Sequence, residues 1–308
     1  MKTLLLPFAA FLLALNVSAV NVAFDFNDAN GTQLNATNNS GSDTGAWNFG
    51  GAPAQTRSAN SGHLNIGYTD YFKGLFNGQL DTGTVTRRFN LDNAITSGGD
   101  FSFTAVIDSW ALNHGVDGAS TGRGVRFGLE TANGQGVNLS FISNSNDGGV
   151  NHFAQVRSER SGIAQGSYGG KTGMNINRNG YKTSSAAQDN GDLTLQINGN
   201  LSTGNWSSRV NYGVGVSQNA DNGYLDDNSL WYDLTTDGTD LNQITGITIV
   251  ALNPEGEAWG SVDTGGNARN YATIDYIGLE VAAVPEPSTY ALLAGFAAFL
   301  FVAIRKRK

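Results

Sequence analysis

From Val22 to Val281 the apolar side chains of this chain recur at every second position, in short runs closed by Asn and Gly, and no sustained 3.6-residue period interrupts them. A strand turns successive side chains to opposite faces, so such runs build strands with one face buried and one wet. The clearest are Phe101–Ile107, with Phe101, Phe103, Ala105 and Ile107 in step, and Gly124–Glu130, which alternates strictly. Ala132-Asn133-Gly134 then supplies a hairpin-type turn, and Val137–Ile142 returns. Further strands are expected at Val22–Phe26, His63–Tyr68, Thr84–Phe89, Phe153–Arg157, Leu193–Ile197, Arg209–Val216, Leu230–Leu234, Ile244–Ala251 and Tyr271–Val281. Turns are expected at Asn144–Gly149 and at Asn198-Gly199. A dozen short strands with turns at close intervals predict an all-β sandwich or barrel.

No Pro- or Ser-rich linker divides residues 22–281, so one ectodomain is expected over residues 20–283. Its first and last strands are both apolar and are expected side by side. Residues 31–62 read as a long irregular segment anchored by Trp47 and Phe49. The last strand, Tyr271-Ala-Thr-Ile-Asp275-Tyr-Ile-Gly-Leu279, resembles the closing strand of carbohydrate-binding jelly rolls. The resemblance implies a jelly-roll, concanavalin-like β-sandwich, in which such an aspartate helps to hold a structural calcium.

Composition removes several functions. Cysteine is absent, so there is neither a disulfide framework nor a thiol nucleophile. The three histidines, His63, His114 and His152, have no metal-ligand spacing. The formal net charge is −8, and five of the cations sit in Lys2 and Arg305–Lys308, leaving the middle more acidic still. Such a surface repels nucleic acid. Apolar residues at 40% and aromatics at 10% exclude a disordered chain despite the 41 glycines.

Both ends carry addresses. Lys2, an apolar stretch from Leu4 to Leu15 and the small residues Val17-Ser18-Ala19 form a secretory signal peptide over residues 1–19, cut by signal peptidase after Ala19. At the other end, residues 284–308 join Pro285-Glu286-Pro287, an apolar run and Arg305-Lys306-Arg307-Lys308. The run is expected to be one transmembrane helix of roughly 25 Å against a ~30 Å hydrocarbon core, with the four cations held on the cytoplasmic side. This tripartite tail resembles the PEP-CTERM sorting signal of Gram-negative bacteria, also labelled an ice-binding protein C-terminal domain, a label that does not imply ice binding. The resemblance implies recognition of Pro285, Glu286 and Pro287 by an exosortase. An inner-membrane-anchored precursor would then be cut near the motif and passed to the cell surface or extracellular matrix.

Few residues point to chemistry in the ectodomain. Glycoside hydrolysis needs two carboxylates facing across a cleft. The one Glu pair at i, i+2, Glu255 and Glu257, lies among Pro254, Gly256 and Gly260 and reads as a solvated turn. His152, Arg157, Arg160 and Tyr168 have the residue types of a polysaccharide lyase without a lyase spacing, and no Gly-x-Ser-x-Gly elbow is present. Calcium is the cofactor these residues suit best. Asn144–Gly148 and Asp221–Asn228 are oxygen-rich, and Asp25 and Asp275, each set between apolar neighbours, are expected to approach and share an ion. Among the tryptophans near Gly/Asn turns, Trp47, Trp110 and Trp259 are candidates for stacking on sugars. The expectation is therefore an exported, non-enzymatic surface or matrix protein that binds extracellular polysaccharide or serves adhesion. A polysaccharide hydrolase or lyase on the same fold is the alternative.

Overall fold

The computed structural model describes residues 19–28, 34, 37–48, 63–66, 83–96, 98–111, 124–132, 136–146, 151–160, 173–176, 193–212, 231–253, 271–282 and 287–305. Among these residues fourteen strands form two antiparallel sheets of seven. The first sheet runs β1 (Val20–Phe24), β14 (Tyr271–Val281), β5 (Asp100–Ala111), β10 (Leu193–Asn200), β11 (Asn205–Tyr212) and β12 (Trp231–Gly238). A short β3 (Leu64–Ile66) also pairs with β14, at Ala272–Ile274. The second sheet runs β2 (Gly45–Asn48), β4 (Gly83–Ile95), β13 (Ile244–Asn253), β6 (Gly124–Glu130), β7 (Gly136–Asn146), β8 (Asn151–Arg160) and β9 (Gly173–Ile176). The expected all-β sandwich is what forms.

The alternation in the sequence is what holds the sheets together. Phe101, Phe103, Ala105 and Ile107 point inward from β5, and Leu193, Leu195 and Ile197 from β10. They meet Val125, Phe127 and Leu129 of β6 and Val137, Leu139 and Phe141 of β7 in one buried core. Each such side chain contributes about 1.5–3 kcal/mol on burial. An aromatic cluster joins the sheets near one end. The Phe24 ring lies 4.9 Å from Phe89 and 5.1 Å from Trp47, themselves 5.5 Å apart. Ser208 of β11 and Ser158 of β8 add a buried hydrogen bond of 2.8 Å from sheet to sheet. Arg87 shares the inward parity of Phe89 and is only 3% exposed, and its burial lowers its pKa.

The first and last strands do pair, Val20 with Val281 through Phe24 with Ile277. Two expected turns are corrected. Asn198-Gly199 does not turn: β10 continues to Asn200, with Gly199 opposite both Phe101 and Trp206. The chain reverses instead over Leu201–Gly204, where Gly204 adopts φ +73°, a left-handed conformation that glycine takes without a Cβ penalty. At the second site the reversal does occur but starts later than expected: β7 runs on to Asn146, whose antiparallel partner is Asn151 of β8. The segment read as irregular holds β2, paired Trp47 to Phe89.

At the C-terminus α1 (Pro287–Arg305) is helical, and Phe299 and Ile304 are 65% and 63% exposed. The expected transmembrane helix is not supported: among the described residues no helix is long and apolar enough to cross a membrane. Ser288, Thr289 and Tyr290 occupy the first turn, so the apolar stretch of the helix, Ala291–Ile304, is about 21 Å long, short of the ~30 Å core.

Candidate functional site

Alternation leaves the outer face of the first sheet to polar side chains, and antiparallel register arranges them in rows across the strands. One row runs Asn21, Glu280, Ser102, Asn198 and Ser207, each the cross-strand partner of the next. The next row, two residues along, runs Ala23, Gly278, Thr104, Gln196, Arg209 and Asp233. A third runs Tyr276, Val106, Thr194, Asn211 and Trp231.

The first row forms the floor of an open groove of about 930 Å³. Asp100, Asn200, Asn205 and Thr236 line it as well, with Ala19 and Ala282 at the rim where β1 and β14 end. Asn200 is committed, donating to Asp100 Oδ1 at 2.8 Å and accepting the Ser202 and Thr203 amides. The Asn21 Oδ1 is buried without a hydrogen-bond partner. Irregular pairing of β11 with β12 between Trp206 and Ser208 leaves Ser207 across from the stretch that carries Thr236. Trp206 closes that end from below; its indole N–H donates to the Thr239 carbonyl at 3.1 Å and its ring occupies the space beside Gly238.

The second row is wired together. Gln196 donates to the hydroxyls of Ser102 at 3.0 Å and Thr104 at 3.3 Å. Its Oε1 accepts from Asn198 Nδ2 at 3.0 Å and Arg209 Nε at 2.7 Å. The Arg209 guanidinium lies 4.2 Å over the Trp231 ring. At the β14 end Tyr276 leans along its own strand, and a Cβ on Gly278 would meet the Tyr276 hydroxyl at 2.1 Å. Burial raises the phenol's pKa above the usual tyrosine range, and the carboxylates of Glu280 and Asp25 raise it further. Tyr276 therefore stays a neutral donor at physiological pH.

The sites expected from the sequence fare differently. Trp47 is 8% exposed and packed on Phe24 and Phe89, so it is a core residue and not a sugar platform. Trp110 sits on β5 opposite Ala272. Trp259, Glu255, Glu257, His114, Tyr168 and the stretch Asp221–Asn228 lie outside the described residues. So do Pro285, Glu286 and Lys306–Lys308, while Pro287 opens α1 and Arg305 closes it. Asp275 falls at a register irregularity between β14 and β5, where His63 Nε2 lies 3.5 Å from Asp275 and 3.4 Å from Asp108. Asp25 accepts from the Asn27 amide at 3.3 Å. Among the described residues no group of three His, Asp or Glu side chains is arranged to hold a metal ion. Sequence reading missed Gln196, Arg209, Trp231 and Tyr276 as one face. The signal was there in the odd–even parity of β10, β11 and β14, but only register shows that the parities share a surface.

Comparison with known proteins separates the tail from the sandwich. Residues 283–308 match the PEP-CTERM protein-sorting motif. This is an exported protein handled by the exosortase system. A search of curated proteins finds no match. Among solved structures the chain is similar to winged bean acidic lectin complexed with methyl-α-D-galactose, with TM-score 0.44 and 10% identity over 87% of this chain and 100% of that one. Lectin I from Ulex europaeus gives TM-score 0.42 and 10% identity, over 86% and 98%. An endo-1,3-β-glucanase from Streptomyces sioyaensis gives 0.40 and 13%, over 85% and 95%.

Proposed function

We propose that the sandwich, a jelly roll of concanavalin-like type, binds glycan in the groove of its first sheet without cutting it. The protein then acts at the cell surface or in the extracellular matrix of a Gram-negative bacterium. The observation that carries this reading is the in-register row Asn21, Glu280, Ser102, Asn198 and Ser207 along an open groove floor. Sugar hydroxyls are donors and acceptors at once. Amides and hydroxyls answer both roles, and a carboxylate accepts from two neighbouring hydroxyls. Asp100, Glu280 and Asp233 set against Arg209 give the face an acidic balance, which favours a neutral glycan over an anionic one. On the delivery side, signal peptidase cuts after Ala19. Pro285, Glu286 and Pro287 are what the exosortase reads.

The test is retention of the purified chain on cellulose, chitin, xylan and laminarin, with release of soluble sugar scored in the same tubes. Retention without release, weakened by Asn198→Ala at unchanged melting temperature, is expected. A folded protein that none of the four polymers retains would remove the binding reading.

One observation favours a second reading. Asp100 and Glu280 line the same groove, and Glu280 stands opposite Ser102, two residues along β5 from Asp100. Diagonal neighbours of this kind are about 7–8 Å apart, within the ~5–9.5 Å that glycoside hydrolysis uses. Released product that disappears in Glu280→Gln would make this protein an enzyme.

A further inference from the structure

Resting on the glycan reading, we propose that Gln196 is a positioning residue. Its amide, oriented by Arg209, decides which polar groups the groove floor shows to a sugar, and sets them for a glycan whose hydroxyls are unsubstituted. Each orientation is forced by the one before it. A guanidinium carries donors only. The atom of Gln196 that takes the Arg209 Nε–H at 2.7 Å is therefore the carbonyl oxygen, Oε1. Asn198 meets the same oxygen at 3.0 Å, so it has to offer its Nδ2 there. The Gln196 Nε2 is left for Ser102 at 3.0 Å and Thr104 at 3.3 Å. An amide nitrogen only donates, so both hydroxyls accept from it. Arg209 is itself seated over the Trp231 ring at 4.2 Å, which holds the first link in place.

Ser102 and Asn198 line the groove, and Gln196 does not. What their bonds to Gln196 leave over is what a ligand meets. Asn198 has its Nδ2 turned to Gln196 and presents the carbonyl Oδ1. Ser102 accepts from the second row and keeps its own proton to give. Glu280, the partner of Ser102 on β14, is a carboxylate and can only accept. Across β14, β5 and β10 the floor thus reads acceptor, donor, acceptor, at steps of about 4.8 Å. A sugar answers with hydroxyls that give protons to Glu280 and Asn198 and with one that takes the proton of Ser102. An ether or an ester at the giving positions has no proton to offer. Gln196 acts through its neighbours, and a network tied before binding loses little freedom when the sugar arrives.

Gln196→Glu is the informative change. A carboxylate keeps the bonds from Arg209 and Asn198 but can only accept, so the Ser102 and Thr104 hydroxyls have to turn round and donate to it. Every partner stays satisfied and the link to Arg209 joins opposite charges, so the melting temperature should hold or rise. The Ser102 proton, however, is withdrawn from the groove. The experiment is a set of binding isotherms for the purified full-length chain and its variants on cellulose, chitin, xylan and laminarin. On the polymer that the natural chain binds, Gln196→Glu and Ser102→Ala should each weaken affinity about tenfold, the loss of one hydrogen bond. The double change should bind no more weakly than Gln196→Glu alone, because the donor is already gone. An effect of the added charge would be indifferent to Ser102, and the two losses would multiply. The O-methylated form of the same polymer should not bind. Natural affinity in a folded Gln196→Glu, losses that multiply, or a sharp fall in its melting temperature would each overturn the positioning role and leave glycan binding standing. So would an O-methylated polymer bound as tightly as its parent. A natural chain that binds none of the four polymers would bring down the glycan reading itself.

Discussion

The two outer faces of this sandwich come from the same alternation and end in opposite states. On the second sheet the row Arg88, Thr248, Gly128 and Asn138 folds over itself: Asn138 and Thr248 fill the space above Gly128, and Arg88 pairs with Glu130 at 2.7 Å. Thr248 and Ser140 point outward from their strands yet are 3% and 1% exposed, and Ser140 accepts from Arg126 at 2.9 Å. On the first sheet the corresponding rows leave Asn21 Oδ1 without a partner and open into a groove. A strand's outward parity thus says only that a side chain leaves the core. Whether it meets its neighbours or a ligand depends on which residues register places beside it.

That contrast can be broken in graded ways. Phe24→Ala removes the ring that joins the sheets and should cost about 3–5 kcal/mol; melting should fall sharply, and any lost retention should follow unfolding and not chemistry. Ser208→Ala strands the Ser158 hydroxyl between the sheets, at about 1–3 kcal/mol. The double change Ser158→Ala with Ser208→Ala should recover part of that loss in chemical denaturation. Asn198→Ala on the first face should weaken polymer retention about tenfold, or about 1.4 kcal/mol, without moving the melting temperature. Its counterpart on the second face, Arg88→Ala, should leave retention intact and change stability by about 1 kcal/mol or less, since half-exposed ion pairs are screened by water. Equal losses of retention from both faces would end the distinction between them.

The smallest effect concerns pH. The Tyr276 phenol ionises at a higher pH in the folded protein than in the unfolded chain. Stability from its neutral form is therefore complete below the ordinary tyrosine range and is lost as pH rises through it, above about pH 10. Melting curves in that range should fall more steeply for the natural chain than for Tyr276→Phe.

Much of the fold was open to reading from residues alone. Phe101–Ile107, Gly124–Glu130 and Leu193–Ile197 announce their buried faces because core packing and local alternation ask for the same pattern. The errors have physical causes. Asn198-Gly199 reads as a hairpin turn, but Gly199 is needed where the Phe101 ring crosses the strand, and a Cβ there would lie 2.6 Å from that ring. Trp47 sits in a glycine-rich surround that suggests exposure, and only its pairing with Phe89 sends it inward. The tail was legible as an address because sorting motifs are read by other proteins as sequence. The groove was not, because Asn21 and Glu280, its neighbours in space, are partners from opposite ends of the chain.

That pairing also sets an order of events. β1 is made first and its partner β14 last, so the edge strand waits while everything between them is synthesised and exported. Closing so long a loop is entropically costly and slow, and the contact comes late in folding. Until then Val20–Phe24 has only the nearby segment Asn39–Asp43 for a partner, through bonds to Asn21 and Ala23. Once β14 docks, the same backbone is tied into a sheet. The sandwich thus carries a timer: its first strand is tied down on both edges only when its last one arrives.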